Sequence, residues 1–158
     1  KLSAGSLSLL DARSQGAYDS SHLATAVHAP WQAFTVSCPG ASCGVLRPEQ
    51  ELKAEFAARG VHPLLDVVIY GSWSGGWGEE GRIYWMLKHL GHKRAWIMAG
   101  GFEAAKGHVD ATSDVGVLLP ASSAEWSSAL DDILAEKSDM LSADIVFDTR
   151  TSAEYDGS

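Results

Sequence analysis

The chain opens the same pattern twice. Residues 9–21 read LLDARSQGAYDSS and residues 146–158 read VFDTRTSAEYDGS. At one offset of 137 positions (148 minus 11), Asp11 aligns with Asp148, Arg13 with Arg150, Tyr18 with Tyr155, Asp19 with Asp156 and Ser21 with Ser158. Each copy follows a short apolar run and leads into a polar, helix-compatible stretch. A repeat constrains architecture before any single element does. It predicts one complete unit followed by the opening of a second. The total of 158 residues suits a domain of ordinary size with a proper core.

Strand and helix signals alternate along the chain. Residues 7–11 form a short apolar strand, and residues 15–20 a helical turn with Ser14 as N-cap. Residues 27–31 read as a brief strand stopped by Pro30, and 34–46 as a loop. A helix is expected over 48–59, with Pro48 at its first position and Gly60 past its end. Residues 66–70 (DVVIY) are a continuous, β-branched apolar run, the mark of a strand buried on both faces. A Gly/Ser/Trp loop over 71–78 precedes a helix over 79–90 closed by Gly91. A strand over 95–98 and a short helix over 102–106 follow. This rhythm predicts an α/β domain, a parallel sheet flanked by helices, over residues 1–107. Residues 108–123 read as a linker. Residues 124–158 read as the incomplete start of a second such domain: an amphipathic helix over 124–137, then a strand beginning at 145–147. Among the tryptophans, Trp85 and Trp96 are expected in the core, and Trp126 on the linker helix against a domain.

A formal net charge of −8 argues against a nucleic-acid partner. No apolar run is long enough to span a bilayer. Cys38 and Cys43, in CPGASC, leave two readings open, a small disulfide loop or two free thiols. The first tilts the expected compartment slightly towards periplasmic or secreted. Residues 1–8 carry no signal-peptide pattern, although a mature chain would have lost one. The six histidines share no metal-ligand spacing, and neither metal nor cofactor is expected.

Chemistry on such a sheet belongs at the carboxyl ends of its strands. The candidate there is the loop Gly71, Ser72, Trp73, Ser74, Gly75, Gly76 and Trp77, lying between a buried strand and a helix N-terminus. Backbone N–H groups and the helix dipole favour an anion or a thiolate at such a place. Yet no cysteine stands there, and neither Ser72 nor Ser74 has a base nearby in sequence. Glu79 and Glu80 occupy the first helical turn, where they satisfy the dipole themselves and repel an incoming anion. Trp73 and Trp77, aromatic residues in a polar glycine loop, fit an interface.

The chain resembles the rhodanese sulfurtransferases on three ordered stretches. These are LLDARS with AYDSSHLATAVHAPW, then VVIY with its glycine-rich loop, then LKHLGHKRAWIMAGGFEAAK. The likeness covers about residues 7–107 and returns over about 122–158. It implies sulfane sulfur transfer, from thiosulfate or 3-mercaptopyruvate, through a persulfide on a loop cysteine. Gly71 stands where that cysteine would be. The resemblance to tandem members implies that this unit is the vestigial, non-catalytic first domain. Asp11 and Arg13, and in the second copy Asp148 and Arg150, would then be a structural ion pair bracing a loop; His22 likewise has a structural role. The expected partner is the remainder of a second rhodanese domain, carrying the cysteine and cut or nicked from this chain while staying bound. The substrate of the whole molecule would be a small sulfur-containing anion. Two other readings are a rhodanese-fold binding or sensing module without activity, and a hydrolytic loop like that of the related dual-specificity phosphatases. The latter also requires the loop cysteine.

Overall fold

The structure, a computed structural model, describes residues 7–36, 44–114, 125–126, 130, 133–135, 137–147 and 152–156. Cys38, Cys43, Asp148 and Arg150 lie outside the described residues.

Strand β1 (Leu7–Asp11) leads into helix α1 (Gln15–Ser20), where the Ser14 side chain accepts the Ala17 N–H. Two very short strands follow, β2 (His22–Leu23) and β3 (Val27–His28). The expected strand over 27–31 ends early, because Trp31–Phe34 wind into a single 3-10 turn after Pro30. Helix α2 (Glu49–Ala58) starts one residue after Pro48, which caps it rather than opening it. Then come β4 (Asp66–Tyr70), α3 (Glu79–His89), β5 (Ala95–Ile97) and α4 (Gly101–Ala105).

Four strands form one parallel sheet in the order β3-β1-β4-β5. Alternation along the central strands divides the core. Leu10, Val67 and Ile69 join Leu52 and Phe56 of α2 and Ile83, Met86 and Leu87 of α3 on one face. Leu9 and Tyr70 join Leu23, Ala26, Phe102 and Ala105 on the other. Burial on both sides is why 66–70 reads as an unbroken apolar run.

Three expectations are corrected. Trp96 is 57% exposed, because β5 is an edge strand with few residues to cover it; Trp85 is half-buried against the core. The fold continues past 107: β6 (Ala111–Thr112) pairs antiparallel with β2, so part of the expected linker belongs to this domain. The helix expected over 124–137 is not formed at the described residues 125, 126, 130, 134 and 135, and residues 145–147 form no strand. A short helix α5 (Lys137–Ser142) takes up the chain instead. Leu130, Ile133, Leu134, Ile145, Val146 and Phe147 are all exposed, and an apolar face without a partner does not hold a helix or strand together. Trp126 does pack on the domain, against Phe56 and edge-on to His92. Helix α6 (Ser152–Asp156) falls 137 positions after residues 15–19 of α1, so the repeated sequence carries a repeated helical turn.

Phe56 is fully buried and stacks on Phe34 at 4.2 Å. Phe56→Ala is expected to cost about 3–5 kcal/mol in denaturant unfolding. Burial holds the His92 imidazole below its ordinary value of 6.5, a pull that the hydrogen bond to the His62 carbonyl only partly opposes. The folded chain therefore binds that proton less readily than the unfolded chain. This contribution to stability is fully present above pH 6.5 and is lost as pH falls below it. Unfolding curves of wild type and His92→Gln across this range are expected to converge on acidification.

Candidate functional site

The site lies at the carboxyl ends of β1 and β4. Asp11 ends β1 with its carboxylate fully buried, and Arg13 is 8% exposed. The guanidinium donates through Nη2 to Asp11 Oδ2 at 2.6 Å and through Nε to Oδ1 at 3.0 Å, while the Arg13 backbone N–H donates to Oδ1 at 3.0 Å. Nη2 also donates to the Ser21 carbonyl at 2.8 Å. Two residues apart in sequence, acid and base close a compact loop as the chain leaves the sheet. Burial works against the charged Arg13, but the hydrogen bond and charge of Asp11 outweigh it and hold the guanidinium pKa above its ordinary value.

The free face of the guanidinium lies 3.9 Å over the Phe102 ring and 5.5 Å over Tyr70. Tyr70, the last residue of β4, accepts the Leu23 N–H at its hydroxyl. Burial first, then the Asp11 charge, push its phenol well above the ordinary range, so it stays protonated. Phe102 in turn donates its N–H to the Gly71 carbonyl at 3.0 Å. The Asp11–Arg13 pair is thus linked, through one aromatic ring, to the first residue of the glycine loop.

His22 is fully buried in the same region. Its Nδ1 hydrogen-bonds the Tyr18 carbonyl at 2.9 Å, and its ring stacks on Tyr18 at 3.9 Å.

Gly71 is buried and Ser72 half-buried, while Trp73, Ser74, Gly75, Gly76 and Trp77 are exposed, Trp73 by 63% and Trp77 by 92%. Trp73 has φ +54°, a left-handed conformation that is costly for so bulky a residue. It is held by close packing: a side chain on Gly101 would meet the Gly71 carbonyl and stand 3.1 Å from the Trp73 backbone nitrogen and Cβ. Gly78, at φ +75°, turns the loop into α3. Glu79 Oε2 accepts the Trp77 N–H at 2.9 Å. Glu80 turns back instead, and its carboxyl group lies where a side chain on Gly71 would begin. This placement leaves no signal in the sequence. The part played by Gly101 and Phe102 was not anticipated either, although two successive glycines before an aromatic residue signalled a close backbone approach. Among the described residues, no cluster of His, Cys, Asp and Glu could hold a metal ion, and no helix is long and apolar enough to cross a membrane.

Residues 1–108 match a family model described as the rhodanese-like domain. A thiosulfate sulfurtransferase of Azotobacter vinelandii is 31% identical over 104 residues, 66% of this chain and 37% of that protein. The chain thus spans little more than a third of that relative's length. Among solved structures, the 3-mercaptopyruvate sulfurtransferase of Leishmania major aligns with a TM-score of 0.64 at 24% identity, over 78% of this chain and 37% of that one. The Escherichia coli protein SseA, described as a 3-mercaptopyruvate sulfotransferase, aligns with a TM-score of 0.66 at 20% identity, over 87% of this chain and 55% of that one. These last two likenesses bear on the fold.

Replacing Asp11 by Asn leaves Arg13 buried without its counter-charge. The expected loss is about 3–5 kcal/mol, read from denaturant midpoints. Arg13→Lys is expected to fall well short of wild type too, since an ammonium cannot reproduce the forked contact with both carboxylate oxygens.

Proposed function

Since the chain belongs to the rhodanese-like domain family, we propose that it is the non-catalytic domain of a sulfurtransferase and forms the interface to the domain that carries the catalytic cysteine. The observation that carries this reading is at Gly71. The first loop residue after β4 has no side chain, and the space one would need is occupied by Glu80. No thiolate can form at that position, so no persulfide can form there.

Three observations support the rest of the reading. The relative from Azotobacter vinelandii is named a thiosulfate sulfurtransferase, and this chain aligns with only 37% of it. The residues that begin the domain recur at 146–158, as the opening of a second unit would. The loop presents Trp73 and Trp77 to solvent, and large exposed aromatics on a braced backbone are good anchors for a docked partner. On this reading the second domain supplies the nucleophile, and a small sulfur-containing anion is the substrate of the whole molecule. This domain positions the other and shapes one wall of the pocket.

A thiosulfate:cyanide sulfurtransferase assay tests the assignment. The purified 158-residue chain is expected to show no turnover above the uncatalysed rate. The same chain assayed together with the remainder of the second domain is expected to be active. Turnover by the chain alone would overturn the reading.

A further inference from the structure

Glu79 and Glu80 are neighbours at the start of α3, yet they do different work. Glu79 accepts a hydrogen bond from the loop backbone at Trp77. Glu80 sends its carboxyl group under the loop to Gly71. A Cβ built on Gly71 would collide with Glu80 Oε2 and stand 2.7 Å from Cδ and 3.4 Å from Oε1. Oε2 is buried and accepts no hydrogen bond among the described groups. An unpaired buried carboxylate oxygen is costly. What lies beside it is the amino end of an eleven-residue helix, whose partial positive charge favours an anion.

We propose that Glu80 is a tethered occupant of this loop, a carboxylate supplied by the chain that takes the space beside Gly71 and keeps small oxyanions from it. The tether matters because an intramolecular group competes at an effective concentration that a dilute free anion does not reach. The charge matters because a second anion beside it is repelled. A side chain at position 71 would meet the Glu80 carboxyl group, the far end of a flexible side chain, and would have to turn it away. The inference stands on the Gly71–Glu80 geometry and does not require the parent molecule to be a sulfurtransferase.

Two measurements on the 158-residue chain test it without any assay of activity. In the first, thiosulfate and sulfate are titrated while the amide resonances of residues 71–76 are followed. Wild type and Glu79→Gln are expected to show little response. Glu80→Ala is expected to bind one anion at the loop about 5- to 150-fold more tightly than wild type. Equal affinity in wild type and Glu80→Ala, or no binding by a folded Glu80→Ala chain, would overturn the proposal. In the second, Gly71→Ala is made in both backgrounds. It is expected to lower the melting temperature of wild type and to leave Glu80→Ala nearly unchanged; equal losses in both would show that Glu80 does not hold the space beside Gly71. Should Glu80→Ala not fold, Glu80→Asp, one methylene shorter, withdraws the carboxylate and replaces it in both measurements.

Discussion

The buried ion pair between Asp11 and Arg13 is the contact on which the loop end of the sheet depends. It sits where β1 leaves the sheet, and each group is fastened by the backbone as well as by the other. The Asp11 carbonyl accepts the Ala29 N–H, and the Arg13 carbonyl meets His28 Nε2 at 2.8 Å, so β3 and the chain beyond it are tied to the same point. The guanidinium then covers Phe102, and Phe102 holds the Gly71 carbonyl. A charge pair this deep gives little net stability against an apolar substitute. Its value is geometric, because a forked guanidinium–carboxylate contact fixes direction as well as distance.

Much of this was legible in the sequence because local chemistry and tertiary packing agree. The run 66–70 reads as a strand covered on both faces, and Tyr70 and Ile69 do point into opposite cores. Ser14, Pro48 and Gly91 mark helix ends by their own conformational preferences, and those ends fall within two residues of the marks. Strands β2 and β6 were not legible. Two residues carry no periodicity, and the pairing of His22 with Thr112 is set by the fold of everything between them. Trp96 was misplaced for a related reason: an aromatic residue in a strand reads as core whether the strand is central or at an edge.

The stretch beyond the domain shows where amphipathic spacing misleads. Trp126, Leu130, Ile133 and Leu134 have the spacing of one helical face, but the chain uses them separately. Trp126 fits against Phe56 and His92. Leu130 donates its N–H to the His89 carbonyl at 2.7 Å, and its own carbonyl meets His89 Nδ1 at 3.2 Å. The Ile133 carbonyl accepts the Trp85 indole N–H at 3.4 Å. Leu130 and Ile133 are therefore each held to α3 through backbone groups. A helix would bond its own backbone groups to one another; here the carboxyl end of α3 takes up two of Leu130's, and a helix would have to give up those contacts.

On the proposed function, Gly71 leaves the loop without a nucleophile. Glu80 changes the physical meaning of that absence. A side chain at 71 would displace the Glu80 carboxyl group from its present place, so the two residues are coupled through one volume. Helix α3 still offers its positive end to the loop, and Gly101 and Phe102 still clamp Gly71 from the other side. On the inference above, the Glu80 carboxylate stands at that positive end in place of a free anion. Such a loop would present to a docked partner an exposed Trp73 at φ +54°, its backbone packed against Gly101.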